Sequence, residues 1–510
     1  MEITRNALLP ALLLIGFALS GQSLYQDLTL DYGPYAVGYA HRLETDRTRT
    51  YERPMDYADS LTFRPVPVSV WYPRVDTANA TRVTILDYLR VLKEEEEWES
   101  LPDEYIFSWF YYPETPAAKQ NAPAATHAYS DGEMLPGNHP VVIYSPSYNA
   151  SSAENFVLCE YLASRGYVVF ASPSRGARQR HLEGGTTRDA EAQWRDLDFL
   201  TGYAAHWPGA DADRLFTVGF SFGGLSNILF AMNNPHVDGV ISLDGTVKYH
   251  PEVPRASHHY REASFSQPFV HFSQKDIPAA VVEADKIDPE LGKDFTFFKT
   301  LDRAPAYHFQ FTDLTHGNFA AFGVLFEPRD PRQDKSNAVI NAAYARLCTR
   351  TAITLDHMDA YRPTDAVWQS AKYPKAMAGD GVTLLETKVA DTKAYTVPQF
   401  FALARKDTFT NLPRLYEEVQ VRYPEFRLPE GDLNTLGLQL GFAPLTREEG
   451  IRIFKFALVL FPDSANLYDS LAEIYLYADR LTEAKAHFEK SLELDPGNGN
   501  ARRRLREMKP

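Results

Sequence analysis

The stretch 215-LFTVGFSFGG-224 joins an apolar, β-branched run to a serine that stands between two glycines. Where a strand turns sharply into a helix, the turn residue is strained, and side chains two positions before and after it would collide. Gly219 and Gly223 remove those side chains. The stretch therefore predicts a buried strand, a tight turn at Ser221 and a helix over residues 225–232.

A turn of this kind raises the serine hydroxyl above the end of the strand, where the first amides of the helix favour an anion. A serine hydroxyl is a good nucleophile only when a base accepts its proton and an acid holds that base in one tautomer. Ser221 is therefore the candidate nucleophile. The amide of Phe222, directly after it, is the candidate first donor to an oxyanion.

The acid and the base are expected after later strands, with the acid before the histidine. The run "GVISLDGT" puts Asp244 at the end of the next predicted strand, and "FTDLTHGNF" puts His316 just after the last one. Asp276, in "HFSQKD", also ends a predicted strand. From the residues alone, Asp244 and Asp276 are alternatives for the acid, whereas His316 is better placed than the other histidines.

From about residue 35 to 320, short β-branched runs alternate with helical segments. The runs are "PVPVSVWYP", "HPVVIYS", "GYVVFASP", "RLFTVGF", "GVISLD", "QPFVHFSQ" and "AYHFQFTD". Such alternation is typical of a mostly parallel sheet with helices on both faces. The predicted fold class is α/β.

An insertion over residues 82–137 separates the early strands from "HPVVIYS". Its run "EYIFSWFYYPE" is rich in aromatic residues, among them Phe107, Trp109, Phe110, Tyr111 and Tyr112. They either form a lid or acyl pocket over Ser221 or pack the core, and core packing is favoured because aromatic clusters more often fill volume. The acidic residues 94–97 nearby predict a solvated helix face.

After Tyr373 the predicted strands stop, and the remaining pattern is helical with a period of 34 residues. Large, small and helix-ending residues recur at Gly450, Phe454, Ala457 and Pro462, and at Tyr468, Leu471, Ala472, Tyr475, Ala484, Phe488, Ser491 and Pro496. Leu433, Leu436 and Gly437 open the first of these units. The spacing matches tetratricopeptide repeats, and Tyr416 and Pro424 indicate a weaker third unit. So few repeats are expected to pack on the preceding domain or on another protein.

Length, net charge, cysteine content and missing motifs argue against several classes of function. A chain of 510 residues is long enough for two or more domains, and its net charge of -15 argues against nucleic acid as a partner. Cys159 and Cys348 are the only cysteines, so they make no disulfide framework and are expected to be buried free thiols. The sequence has no zinc-hydrolase, phosphate-loop or dinucleotide motif, so no metal or cofactor is predicted.

The first residues, MEITRNALLPALLLIGFALSGQS, have the layout of a signal peptide: a basic residue, an apolar stretch and small residues. The apolar stretch is shorter than the ~20 residues that a membrane-spanning helix requires. We therefore expect residues 1–21 to be a signal peptide, the protein to be periplasmic or secreted, and no transmembrane segment.

Over roughly residues 35–325 the chain resembles the platelet-activating factor acetylhydrolase branch of the α/β-hydrolases, and more loosely the dienelactone hydrolases. The resemblance rests on "HPVVIYSPSYNASSAENFVLCEYLASRGYVVFASP", "GFSFGG", "SLDG" and "THGNFAAF". It implies the α/β-hydrolase fold and a triad whose acid stands at Asp244 and whose histidine stands at His316.

The chain departs from this family at the loop after the third strand. The family usually has Ser-His-Gly there, whereas this chain has Ser145, Pro146 and Ser147. Two backbone N–H groups are needed to stabilise a tetrahedral oxyanion, and proline has none to donate. The resemblance places the second donor at Tyr148, beyond the proline.

These observations divide the chain into four segments. They are a signal peptide (1–21), an α/β-hydrolase domain (24–374) with its insertion, a helical linker or degenerate repeat (375–430) and tetratricopeptide repeats (431–510). The expected function is an exported serine hydrolase that cleaves a carboxylic ester, with a short acyl or acetyl group, of a small molecule, lipid or sugar. The alternatives are a serine peptidase with the same triad, or a scaffold that recruits a protein partner through its repeats.

Overall fold

The central feature of the structure is one sheet, to which the described residues contribute 11 strands. The computed structural model describes residues 22–508 except 54–60, 76, 78–79, 111, 235, 263–264, 276–289, 291, 330–334, 361–371, 390–394 and 424–425. The strands are β1 (Ala36–Tyr51), β2 (Thr62–Arg74), β3 (Arg82–Thr84), β4 (Ala125–Ser130), β5 (His139–Ser145), β6 (Val168–Ala171), β7 (Ala210–Phe220), β8 (Val237–Leu243), β9 (Phe269–Gln274), β10 (Ala306–Phe311) and β11 (Val382–Lys388). The predicted signal peptide, residues 1–21, lies outside the described residues.

Across the sheet the strands follow the order β11-β10-β9-β8-β7-β5-β6-β2-β1-β4-β3. The run from β10 to β6 is parallel, and β11 and β2 flank it as antiparallel neighbours. From β5 the chain moves to β6 on one side and then returns to β7 on the other. The crevice at the carboxyl ends of β5 and β7 is therefore a topological switch point, where open α/β sheets bind ligands.

Helices cover both faces of this sheet. They are α1 (Ile85–Glu95), α2 (Ile106–Trp109), α3 (Pro116–Asn121), α4 (Phe156–Ser164), α5 (Thr187–Ala204), α6 (Phe222–Asn233), α7 (Glu252–Arg255), α8 (Thr296–Thr300), α9 (Ala321–Phe326), α10 (Asn337–Asp359) and α11 (Lys372–Met377). One core contains α4 and α10, and a second core, on the opposite face, contains α5 and α6. The α/β-hydrolase fold expected from the resemblance is confirmed.

Both cysteines lie in the core that contains α4 and α10. Cys159 on α4 and Cys348 on α10 are buried free thiols, as the sequence predicts. Every residue of α4 is buried, which explains its almost continuous apolar sequence.

The expectation that strands stop after Tyr373 is wrong. β11 pairs antiparallel with β10 and forms one edge of the sheet, so the predicted domain end at residue 374 lies before the last strand. Along β11 only Val382 is buried, and Leu385 is 44% exposed. An edge strand that buries so little carries a weak apolar signal, and this is why the pattern missed it.

The insertion extends the opposite edge of the sheet. β4 pairs parallel with β1, and β3 pairs antiparallel with β4. Phe110 is buried against two phenylalanines of α9 at ring-centroid distances of 5.3 and 5.4 Å, and Phe107 and Tyr112 are partly buried in the same core. These three aromatic residues therefore pack the core, whereas the side chains of Trp109 and Tyr111 lie outside what the structure describes.

The acidic run at residues 94–97 is not the solvated face that the sequence predicts. Glu95 is fully buried and accepts hydrogen bonds from the N–H of Ser152, and Glu96 forms an ion pair with the buried Arg180. The end of α1 inserts between the loops that follow β5 and β6. Partners from those distant loops make burial of the carboxylates tolerable, and the local sequence contains no sign of them.

The C-terminal part is helical, as predicted. It contains α12 (Val397–Arg405), α13 (Leu412–Arg422), α14 (Glu430–Phe442), α15 (Arg447–Leu460), α16 (Ala465–Tyr477), α17 (Leu481–Leu494) and α18 (Gly499–Glu507), which share a third core. A Cβ at Gly437 of α14 would lie 2.6 Å from the ring of Phe454 on α15, so the two helices cross at a glycine. The identity of these pairs as tetratricopeptide repeats stays a prediction, and Pro424 of the weaker unit lies outside the described residues.

This helical region contacts the sheet at the amino ends of its parallel strands. Lys406 Nζ lies 3.1 Å from Asp238 Oδ1 at the start of β8, and Gln399 donates a hydrogen bond of 2.7 Å to the carbonyl of Arg303 before β10. The carboxyl ends of the same strands lie on the side of the sheet away from these contacts. Within the described residues, no helix combines the length and the apolarity needed to span a bilayer.

Candidate active site

Ser221 occupies a strained turn between β7 and α6, with φ 53° and ψ -118°. Its N–H donates to the carbonyl of Leu243 (3.1 Å), and its own carbonyl accepts from the N–H of Thr246 (2.9 Å). Such a conformation costs about 1–3 kcal/mol and persists only when the surroundings hold it. Hydrogen bonds to the residues that end β8 and follow it supply that support.

The two glycines are needed for close backbone contacts. A Cβ at Gly219 would lie 2.6 Å from the carbonyl of Gly223, and a Cβ at Gly223 would lie 2.1 Å from the carbonyl oxygen of Ser145. The nearest collisions are therefore with the start of α6 and with the loop after β5. This contact brings the first turn of α6 directly against the loop that carries Tyr148.

The structure brings Ser221, His316 and Asp244 into one hydrogen-bonded chain. His316 Nε2 lies 2.9 Å from Ser221 Oγ, and His316 Nδ1 lies 2.7 Å from Asp244 Oδ2. Asp244 directly follows β8, and His316 opens a 3₁₀ turn (His316–Phe319) after β10. The side chain of Asp244 is fully buried, whereas that of His316 is 45% exposed, so a small molecule can reach the ring.

The second oxygen of Asp244 is also held in place. Asp244 Oδ1 accepts from the hydroxyl of Tyr249 (3.0 Å) and from the N–H of Gln274 (3.1 Å), and the Gln274 side-chain carbonyl accepts the N–H of His316 (3.1 Å). Burial acts to raise the pKa of Asp244, but the hydrogen bond and charge of His316, helped by the Gln274 N–H, bring that pKa below its usual value.

The sequence analysis missed Tyr249 and Gln274. Gln274 is the last residue of β9, so its position at a strand end was an available signal, whereas nothing in the local sequence marks Tyr249. The alternative acid, Asp276, lies two residues further along and outside the described residues.

The pKa of His316 is raised. Removal from water acts to lower it, but the hydrogen bond to Asp244 and the charge of that carboxylate outweigh this effect, and Glu327 and Glu154 add to the rise. A raised pKa makes the ring a stronger base than an ordinary histidine.

The residues after His316 hold its turn. Asn318 Oδ1 accepts hydrogen bonds from the N–H (3.3 Å) and the hydroxyl (2.8 Å) of Thr315. Phe319 is fully buried, with its ring 5.9 Å from that of Phe311. The Asn-Phe pair of the sequence motif thus fixes the position of the histidine without touching a reacting atom.

The two predicted oxyanion donors are neighbours. The rings of Tyr148 and Phe222 lie edge to face with centroids 6.1 Å apart, and the Tyr148 hydroxyl bridges the Leu182 carbonyl (3.1 Å) and the Gly184 N–H (3.0 Å). Neither the amide of Tyr148 nor that of Phe222 has a hydrogen-bond partner among the described residues. Their assignment to an oxyanion hole stays a prediction.

One cavity of the protein lies away from the candidate active site. This cavity, of about 1010 Å³, lies between residues 26–31 and α10. Ser221, His316 and Asp244 are not among the residues that line it. The described residues contain no group of three or more His, Cys, Asp or Glu side chains that could hold a metal ion.

Comparison with known proteins gives two likenesses. Residues 125–298 match the model of the Dienelactone hydrolase family, a span that includes Ser221 and Asp244 and ends before His316. The chain is also similar to the solved structure of a ferulic acid esterase from Streptomyces cinnamoneus, with a TM-score of 0.45 and 18% identity, covering 69% of this chain and 96% of that one. No curated protein matches the chain.

Proposed function

We propose that this chain is a serine hydrolase that cleaves a carboxylic ester through an acyl-enzyme. The observation that carries the proposal is the hydrogen-bonded chain from Ser221 through His316 to the buried Asp244. The match of residues 125–298 to a hydrolase family supports the reaction class.

In the proposed reaction, Ser221 Oγ attacks the ester carbonyl carbon while His316 Nε2 accepts its proton. The tetrahedral intermediate collapses, the alcohol leaves with that proton, and the acyl group stays on Ser221. Water then attacks the acyl carbon with His316 again as base. The carboxylic acid departs, and the proton returns to Ser221 Oγ.

Asp244 and the two amides have distinct roles in this scheme. Asp244 keeps His316 in the tautomer whose Nε2 accepts a proton, and its charge stabilises the imidazolium that forms. The amides of Phe222 and Tyr148 donate to the oxyanion, and both lack any other partner among the described residues. Removal of one such donor typically costs ~10²–10³ in kcat.

The finer parts of the proposal concern substrate and location. We infer an ester with a short acyl or acetyl group on a small-molecule, lipid or sugar alcohol, from the sequence resemblance. We also propose that the protein is exported, because residues 1–21 have the layout of a signal peptide. We further propose that the C-terminal helices are tetratricopeptide repeats that bind a protein partner. The recurring spacing and the glycine at the crossing of α14 and α15 support the repeat assignment.

A serine peptidase is the alternative activity, because the same triad also cleaves amides. A series of p-nitrophenyl esters of increasing acyl length, assayed beside peptide amides, separates the two. The proposal expects turnover of the short esters, and faster cleavage of the amides would replace it with the peptidase assignment.

Ser221→Ala tests the nucleophile. A fluorophosphonate probe should label the native protein at a single serine. The variant should lose both labelling and ester turnover, because Ser221 has the only hydroxyl that hydrogen-bonds to His316 among the described residues. Ser108→Ala, at an exposed serine of the insertion, is the matched control and should label normally. Full labelling of a folded Ser221→Ala protein would exclude Ser221 as the nucleophile.

A further inference from the structure

The loop after β5, where the chain departs from Ser-His-Gly, contacts a buried carboxylate. Glu154 accepts the N–H of Ser147 at 2.9 Å and also the hydroxyl of Ser147, and the Tyr144 hydroxyl lies 3.4 Å from the same group. Both hydrogen-bond donors of Ser147 are thereby directed to one side chain. Ser147 directly precedes Tyr148, the predicted second oxyanion donor.

Glu154 lies in a costly environment for a carboxylate. The residue is 5% exposed, and burial raises the pKa of Glu154 to about 7 although hydrogen bonds from Ser147 and Tyr144 oppose the rise. A buried ionisable group is tolerated when hydrogen bonds compensate its lost hydration. At Glu154 the compensating groups belong mainly to the loop itself, so the carboxylate and the loop conformation depend on each other.

The contacts also select which amide is free. Pro146 has no N–H, and the N–H of Ser147 is used by Glu154, so the first N–H of the loop left without a partner belongs to Tyr148. The two sides of the loop are fixed as well. Gln193 donates to the Pro146 carbonyl (2.9 Å), and the N–H of Leu182 donates to Asn149 Oδ1 (2.8 Å).

We propose that Glu154 is a positioning residue for the oxyanion hole: it binds Ser147 and thereby directs the free N–H of Tyr148 toward the position of the oxyanion that forms in the transition state. This role rests on the proposed function. Glu154 touches no reacting atom: its hydrogen bonds act on the loop through Ser147, and its charge also adds to the rise in the pKa of His316. In this chain the pair of Ser147 and Glu154 provides the loop geometry that the Ser-His-Gly sequence provides in the family it resembles.

Glu154→Ala and Glu154→Gln test the role. The alanine variant should lose up to ~10²–10³ in kcat for a short p-nitrophenyl ester, the cost of losing one oxyanion donor. Its KM should stay near the native value, because the lost interaction forms only in the transition state. The glutamine variant should recover most of kcat, since its side-chain carbonyl still accepts the Ser147 N–H. Turnover is expressed per site labelled by the fluorophosphonate probe, so that unfolded protein does not count.

A second variant and a control keep the test sharp. Ser147→Ala removes only the hydroxyl contact and should lower kcat less than Glu154→Ala does. Glu160→Ala is the matched control: Glu160 is buried on α4, and burial likewise raises its pKa to about 7. It binds the Tyr88 hydroxyl (2.7 Å) and the His127 N–H (3.0 Å), away from the loop. The Glu160→Ala variant should change thermal stability without changing kcat.

The outcomes distinguish the role of Glu154 from the serine-hydrolase activity on which it rests. Unchanged kcat in folded Glu154→Ala, or a raised KM with native kcat, overturns the role of Glu154 while Ser221→Ala remains inactive. An equal loss of kcat in the Glu160→Ala control would mean that the effect is general to buried carboxylates, and would also overturn it. Full turnover in Ser221→Ala would instead overturn the proposed function.

Discussion

At the level of single residues, two members of the candidate site have a strained backbone. Ser221 and Asp244 both have positive φ, at 53° and 42°, and both directly follow strands of the parallel sheet. Left-handed geometry of this kind is disfavoured for residues that carry a Cβ. Hydrogen bonds that continue the ladder hold both residues, from Ser221 N–H to Leu243 and from Asp244 N–H to Phe272 (2.6 Å). The sheet thus places an attacking hydroxyl and an orienting carboxylate in positions that a free chain would avoid.

Asp244→Asn tests the acid and the titration of the base. His316 accepts a proton only when neutral, so activity is lost as pH falls through its pKa. Because that pKa is raised, the acid limb of kcat/KM in the native protein should lie above the ~6.5 of an ordinary histidine. The variant should lose about four orders of magnitude in kcat, since the tautomer is no longer held. Its remaining activity should titrate at lower pH, because the carboxylate that favours the imidazolium is gone.

Asp276→Asn is the comparison for that experiment. It should leave the kcat and the acid limb close to native values, because Asp244 already occupies the Nδ1 side of His316. A large loss in Asp276→Asn with a small one in Asp244→Asn would move the acid to position 276.

At the scale of elements, the site is assembled where four loops meet. The loops follow β5, β7, β8 and β10, and each contributes one part: the oxyanion loop, the nucleophile, the acid and the histidine. The start of α6 approaches the loop after β5 so closely that only glycine fits at position 223. Helix and loop therefore act as one unit, and a change in their spacing moves both predicted oxyanion donors.

Gly223→Ala should move the start of α6 away from the loop after β5. Its new methyl would lie 2.1 Å from the Ser145 carbonyl oxygen, so backbone must shift, at a cost of the order of 1–3 kcal/mol. Thermal denaturation should show a lowered midpoint, and ester turnover should fall more than stability alone explains. Gly202→Ala on α5 is the matched control, because nothing lies within 4 Å of its new methyl. It should be neutral or stabilising by up to about 1 kcal/mol, and native turnover in Gly223→Ala would contradict the close approach.

At the level of the whole molecule, the helical region contacts the amino ends of the parallel strands, whereas the candidate site lies at their carboxyl ends. The contacts of α12 and the residue after it reach the amino ends of the parallel strands, through Gln399, Arg405 and Lys406. Partly exposed ion pairs of this kind contribute at most about 1 kcal/mol each. The catalytic part is therefore expected to work without the helices.

Two truncations test this division. A chain that ends at Val389 keeps β11 and should retain native turnover of small esters, with any loss confined to partner binding or thermal stability. A chain that ends at Pro374 also loses β11, leaves β10 as the edge of the sheet and should be markedly less stable. Loss of turnover in a folded chain ending at Val389 would show that the helices shape the site.

Features that depend on near neighbours along the chain could be predicted from the sequence. The glycine-boxed Ser221, the strand ends that carry Asp244 and His316, and the alternation of strands and helices are local patterns, so each could be predicted without knowing the fold. The helical period after residue 430 was visible for the same reason.

The contacts between groups that are distant in sequence could not be predicted in this way, because they form only in the folded chain. Tyr249 and Gln274 hold the acid, and Glu154 holds the oxyanion loop. They can do so because separate loops converge at the carboxyl ends of the parallel strands. The burial of Glu95 and the pairing of β11 also depend on partners far away in sequence. The free energy of a buried carboxylate or of an edge strand depends on the groups packed against it, and the residues beside it in the chain do not specify them.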